Sequence, residues 1–222
     1  MENTTEIYEQ IMTELSADNQ DIRSRYLKHF GNEISEFAKA MSHAFFVWRE
    51  LDGGVKGDEK KAHVSALVYS AITLHIISMK LLLWGYLVPA GNLQRQVIET
   101  IALALLCSGR DLGILQQYME DTYRTNQALT DVIGQAEKLG LNEDTLRNLR
   151  QTRDFYHKFS HPSLRTLATH IEFSGSGYNL CFGPSFDEGK LDAYRKEVSI
   201  RVNLAKVFGD FVSGVIANVA DW

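Results

Sequence analysis

Apolar residues recur at three- and four-residue steps along most of the chain, the spacing that gathers side chains on one face of an α-helix. Ile22, Tyr26, Phe30, Ile34, Phe37, Met41, Phe45 and Trp48 keep that rhythm and predict a long helix to about Leu51. A short amphipathic element over Glu6–Leu15 precedes it, and Ser16-Ala17-Asp18-Asn19 supplies capping residues between the two. Gly53-Gly54 ends the long helix, and Gly57-Asp58 opens a strongly apolar one. Gly85, Pro89 and Gly91 punctuate the chain again, so the next helix is expected to start at an Asn92 cap and run to about Ser108. Asp111 opens a further helix through Lys138, with Gly134 as a point where it can break and Gly140 on its C-terminal side. Asn142 caps another helix, whose first turn carries Glu143 and Asp144 where the helix dipole favours negative charge.

Past Pro162 the period changes. Ala168-Thr169-His170-Ile171-Glu172-Phe173 and Tyr178-Asn179-Leu180-Cys181-Phe182 alternate or cluster β-formers around Ser174-Gly175-Ser176-Gly177, which reads as a small β-hairpin over about residues 168–182. Asp187-Glu188 then starts a last helix to about Ala220, with Leu191, Tyr194, Val198, Val202, Ala205, Phe208, Val212 and Val215 as its core stripe. Long helices joined by short turns specify an all-α, up-and-down bundle of six or seven helices, with the hairpin before the last one.

Composition refines this picture at three points. A hydrophobic content of 45%, a charged content of 23% and only three prolines describe one globular domain over residues 1–222, with little room for a linker. The net charge of −5 disfavours indiscriminate nucleic-acid binding, which relies on a basic surface, but says little about one patch. Cys107 sits in the apolar run Ile101–Cys107 as an expected buried thiol, and with Cys181 alone it makes no disulfide framework or zinc set. The polar, acidic start Met1–Ile7 lacks the pattern of a secretory signal, so a reduced cytoplasm is the expected compartment. The Val64–Val88 span is nearly apolar, yet His75 and Lys80 lie deep within it. A lysine at the centre of a lipid-facing helix costs on the order of 3 kcal/mol, so the span reads as a central bundle helix and no membrane partner is expected.

Candidate chemistry concentrates in Arg150-Gln151-Thr152-Arg153-Asp154-Phe155-Tyr156-His157-Lys158-Phe159-Ser160-His161-Pro162-Ser163. On a helix advancing about 100° per residue, Arg150, Arg153, His157 and His161 share an arc of roughly 80°, opposite the face of Phe155 and Phe159. Such a stripe binds an anion, moves a proton, or simply faces water. Pro162 fixes where the chain departs, and Ser163 follows with a hydroxyl that either caps the next turn or touches a ligand. Arg95 and Glu99 form an i,i+4 pair inside an apolar helix, either as an ion pair that sets register or as a carboxylate that orients His157 or His161. His157 and His161 also have metal-ligand spacing, which Glu99 or His75 would have to complete, but no His-Glu-x-x-His or repeated Glu-x-x-His accompanies them. No metal or cofactor is implied. His29, His43, His63 and His75 stand singly on helices, and neither a Gly-x-Ser-x-Gly elbow nor a phosphate-binding loop occurs.

Arginine, six residues, then histidine, as in Arg150 to His157, resembles the Arg-x4–6-His motif of the HEPN superfamily of helical bundles. Phe159-Ser160-His161-Pro162-Ser163 is similar to a segment of bacterial helical proteins associated with that group, and Arg95-Gln96-Val97-Ile98-Glu99 matches their Arg-x-x-x-Glu step in a central apolar helix. In the common form a polar residue follows the arginine and histidine stands four positions later; Arg153-Asp154 begins that way, but Lys158 occupies the histidine position. The resemblance implies metal-independent RNA cleavage at the interface of a homodimer, or RNA or nucleotide binding in an inactive relative. His157 or His161 would shuttle the 2′-hydroxyl proton, and Arg150 or Arg153 would clamp the phosphate, with Arg95, Glu99 and Ser163 in support. The competing expectation is a non-enzymatic helical protein that works by self-association or by binding a partner.

Overall fold

The computed structural model describes residues 4–172, 179–220 and 222, so the turn expected at Ser174–Gly177 lies outside the described residues. The helices are α1 (Thr4–Ser16), α2 (Gln20–Gly53), α3 (Glu59–Leu83), α4 (Leu87–Ser108), α5 (Ile114–Met119), α6 (Ala128–Gly134), α7 (Glu143–His157), α8 (Leu164–Thr169) and α9 (Leu191–Ala220). Strands β1 (Ile171–Glu172) and β2 (Asn179–Leu180) pair antiparallel, Ile171 opposite Leu180, between α8 and α9. The fold is therefore all-α with a hairpin before the last helix, as the periodicity predicts. The hairpin is shorter than expected, because Ala168 and Thr169 end α8 instead of joining a strand.

Four long helices form the centre. The α3–α4 and α2–α9 pairs share the largest interfaces, and α6 and α7 also pack against α4. Asp58 starts α3 by accepting a hydrogen bond from the Lys61 backbone N–H at 3.1 Å. Lys80, the charge that argued against a lipid-facing helix, is exposed with its Nζ 4.3 Å above the Trp84 ring. Both α3 and the segment Glu188–Ala220 are long and apolar enough to cross a membrane by length and composition; half of the apolar window in each is buried inside this bundle.

Helix boundaries depart from expectation where tertiary contacts or special backbone angles decide them. α4 begins at Leu87, not at an Asn92 cap: Pro89 lies in its first turn, where a missing N–H breaks no helical hydrogen bond. The helix expected from Asp111 to Lys138 is instead divided into α5, α6 and short 3-10 turns. Gly113 at φ 67° and Asp121 at φ 54° take left-handed conformations that an α-helix cannot continue through. This division, with α8, raises the helix number above the six or seven expected. Asn19 also does not cap α2 with its side chain; that amide donates to Tyr86 Oη at 3.3 Å.

A polar network that the sequence reading did not anticipate runs through the core. Arg201 on α9 is fully buried, and its guanidinium bonds Glu197 Oε2 at 2.8 Å, Tyr156 Oη at 3.2 Å and Ser78 Oγ at 3.0 Å. Tyr156 in turn donates to Glu197 Oε2 at 2.9 Å. Burial alone would discharge the guanidinium, but Tyr156 and Glu197 hold its pKa above the ordinary arginine range. His75 is neutral, because burial and then the Arg201 charge pull its pKa down to about 3. A neutral ring that donates from Nε2 to the Arg201 carbonyl at 3.1 Å must accept at Nδ1. The Gln94 amide end lying 3.1 Å from Nδ1 and 3.2 Å from Ser78 Oγ is therefore its nitrogen, which would otherwise be buried without a partner. Ser78 then accepts from Arg201 and Gln94 and donates to the Ala90 carbonyl at 2.8 Å, tying α3, α4 and α9 together.

Candidate functional site

Asn142 starts α7 by accepting from the Thr145 backbone N–H at 2.9 Å, and Leu146, Leu149 and Tyr156 bury one of its faces. The opposite face is left to solvent. Arg150 and His157 are exposed there, and Arg153 is partly covered. The helix stops at His157, because the next backbone N–H groups close tighter turns: Phe159 N–H bonds the Tyr156 carbonyl at 2.9 Å and Ser160 N–H bonds the His157 carbonyl at 3.1 Å. His161 thus comes from a turn, not from the helical stripe that the sequence spacing predicts. That turn nevertheless swings its ring onto His157, with centroids 4.8 Å apart and the planes at 78°.

The arginines are less well gathered. Among the described residues Arg150 makes no side-chain hydrogen bond or ion pair. Arg153 Nε lies 3.3 Å from Asp154 Oδ1, an ion-pair distance, but without the alignment of a hydrogen bond, so the attraction is coulombic and weak. The structure therefore brings the two histidines together and leaves the two arginines without a shared partner.

A second group of residues meets beside this turn. Arg95 Nε donates to Glu99 Oε1 at 2.8 Å, and Arg95 Nη1 donates to Ser160 Oγ at 3.0 Å. Ser160 Oγ donates its own proton to Asn92 Oδ1 at 3.0 Å. Asn92, Arg95, Glu99 and Ser160, with Tyr118 and Thr125, line a polar cleft of about 590 Å³ between α4 and the end of α7. Gly91 makes this approach possible, since a Cβ there would stand 2.7 Å from a Phe159 ring carbon. The Arg95–Glu99 pair expected from its spacing is thus present, but Glu99 grips Arg95 and, among the described residues, bonds neither His157 nor His161. Neither Asn92 nor Ser160 stands out in the sequence as a ligand. Only the return of α7 onto α4 places them in one site.

Ser163 has a structural position. Its hydroxyl accepts from Thr166 N–H at 3.2 Å, its own N–H donates to Thr166 Oγ1 at 2.9 Å, and the resulting capping box starts α8. His75 has both ring nitrogens occupied in the buried network, away from the His157–His161 pair. His63 bonds the Glu59 carbonyl at 2.8 Å, and His29 lies 3.4 Å from Glu188. Cys107 is buried, and burial pushes its thiol pKa up to about 12, which makes it a poor nucleophile.

Chemically, the parts are two touching imidazoles at the end of α7 and, in a cleft whose lining includes neither of them, a half-buried guanidinium held by a carboxylate, with a serine and an asparagine that fix its position. They are suited to hold a phosphate oxygen and to move a proton. No protein-family model, curated protein or solved structure matches the chain.

Proposed function

We propose that this chain is a HEPN-like RNA- or nucleotide-binding protein that cleaves RNA without a metal ion. The observation that carries the reading is the Arg95–Ser160 hydrogen bond. It joins the central Arg-x-x-x-Glu step to the Phe159–Ser163 segment, two features distant in sequence that the resemblance rests on. His157, fixed on the last turn of α7, takes the 2′-hydroxyl proton as that oxygen attacks phosphorus. The bond to the 5′-oxygen then breaks, a 2′,3′-cyclic phosphate forms, and the same imidazole returns the proton to the leaving oxygen. His161, packed edge-on against it, orients the ring. Arg150 and Arg153 supply charge to the phosphorane, with a second copy of the chain closing the site across a two-fold axis.

Because Arg95 is already paired with Glu99, the two as a unit are nearly neutral, and removing either charge should shift RNA affinity in opposite directions. Fluorescence anisotropy with a labelled single-stranded RNA checks this. Arg95→Gln and Ser160→Ala are expected to weaken binding, and Glu99→Gln to tighten it. Equal affinity in all three folded variants would contradict the reading.

The second reading, a non-enzymatic interaction protein, is favoured by α1. It has no buried residue, and Ile7, Tyr8, Ile11, Met12 and Leu15 are all exposed along it, Leu15 to 76%. Light scattering separates the two: an Ile11→Glu/Leu15→Glu variant that becomes monomeric while RNA affinity is unchanged favours interaction over catalysis.

A further inference from the structure

We propose that the cavity bounded by α7, α8 and the start of α9 is a binding site for a small amphiphilic anion, an apolar chain or ring bearing a carboxylate or phosphate-ester head. This site goes beyond the RNA-binding reading and uses other residues. It encloses about 300 Å³, at the lower end of the range for small-molecule sites, roughly 300–1,000 Å³. Its walls are apolar: Leu87, Phe155, Phe159, Ala168, Ala193 and Tyr194. Thr169, Glu197 and the Tyr194 hydroxyl, which already accepts from Asp187 N–H, are the uncharged or acidic polar groups of the lining, too few to satisfy the hydrogen-bonding edges of a base and a ribose. An apolar body fits these walls better.

The charge at this cavity specifies the head group. Arg165, Lys190 and Lys196 all line it, although the chain as a whole carries a net charge of −5. The Arg165 guanidinium carbon lies 3.9 Å from the Phe155 ring centroid, and Lys196 Nζ lies 4.9 Å from the same ring. Elsewhere Arg25, Arg95, Arg201 and Lys206 each face a carboxylate. Among the described residues Arg165 and Lys196 form no ion pair; Arg165 lies over the Phe155 and Phe159 rings and Lys196 over Phe155. Glu197, the one acid in the lining, already has its carboxylate bonded by Arg201 and Tyr156, so its charge is offset from within the core. The site therefore pairs an apolar hollow with two cationic groups, Arg165 and Lys196, that form no ion pair among the described residues. A carboxylate or phosphate accepts two parallel bonds from the Arg165 fork, with lysine charge beside it.

Calorimetric titration of the full chain with decanoate, below its micelle-forming concentration, tests the assignment against decan-1-ol and adenosine monophosphate. Saturable one-to-one binding of decanoate is expected, with decanol and the nucleotide each weaker by at least about tenfold. Arg165→Gln is expected to weaken decanoate and leave decanol unchanged. Ala193→Phe fills the cavity and is expected to remove binding while the circular dichroism and melting temperature stay those of the parent; Ala168→Phe provides the same block should the first variant not fold. No saturable binding of decanoate, binding that survives the filled cavity, or decanol or the nucleotide binding as tightly as decanoate would each overturn the proposal.

Discussion

Arginine and histidine meet two contrasting settings in this molecule, one enclosed and one open to solvent. In the core, Arg201 and His75 share one hydrogen-bonded network with Glu197, Tyr156, Ser78 and Gln94, and His75 is held neutral. On the outer face of α7 and the turn beyond it, Arg150, His157 and His161 face water, and the only fixed contact among them is between the two imidazoles. Tyr156 and His157 are adjacent in the chain and belong one to each setting. Enclosed charges bonded to one another tie helices together, even though Arg201 Nη2 has no hydrogen-bond partner among the described residues; exposed ones are left to solvent. Residue type alone does not separate an arginine or histidine of the core network from one open to solvent; enclosure does.

The largest effect that sharpens this contrast is loss of Arg201. Arg201→Ala removes the cation that balances the buried Glu197 carboxylate, leaving it only the Tyr156 hydroxyl, and it is expected to cost about 3–5 kcal/mol, read as a fall in denaturant midpoint or failure to fold. A cost under about 1 kcal/mol would mean that the network is not what joins α9 to α3 and α7. Acidification comes next. Below an unfolded-state pKa near 6.5 the unfolded chain binds a proton at His75 that the folded chain refuses down to about 3. Stability from this group is thus complete above about pH 6.5 and falls as pH drops toward 3, by roughly 1.4 kcal/mol per pH unit. Urea denaturation from pH 7 to 5 should show that slope, and the His75→Gln variant should show a shallower one.

Gly91→Ala tests the approach of α7 to α4. The added methyl displaces the Phe159 ring, with an expected cost of about 1–3 kcal/mol by thermal melting. It should also loosen the neighbouring Ser160–Arg95 bond, so RNA affinity should fall with stability. The smallest effect is expected on the outer face, where Arg150→Ala and His157→Ala should each change stability by no more than about 0.5 kcal/mol in the same melts. A large loss at either position would place the stripe in the structural class and break the contrast.

The sequence made the long helices legible because their apolar residues repeat in phase over many turns, as in α2 and α9. It was misleading where one contact outweighed local preference. Pro89 and Asn92 look like a break followed by a cap, yet both lie within α4. His161 and Pro162 look like the end of α7, yet the helix stops at His157 and Phe159 turns inward beneath Gly91. A signal for the buried network was present: Arg201 stands seven residues after Tyr194 and seven before Phe208, in phase with the core stripe, where a charge demands a partner. Of the candidate site, the Arg95–Glu99 pair was readable from i,i+4 spacing. The participation of Asn92 and Ser160 was not, because it arises only from the packing of α7 on α4.

The most direct test of the division between a structural core and a chemical surface is RNA cleavage in the presence of EDTA, followed on a labelled strand. The parent chain and Arg150→Ala should both be compared with His157→Ala/His161→Ala at matched melting temperatures. The account predicts cleavage by the parent to a 2′,3′-cyclic phosphate end, a reduced rate for Arg150→Ala, and none for the double variant. Equal cleavage by parent and double variant, or none by any of the three, would contradict it.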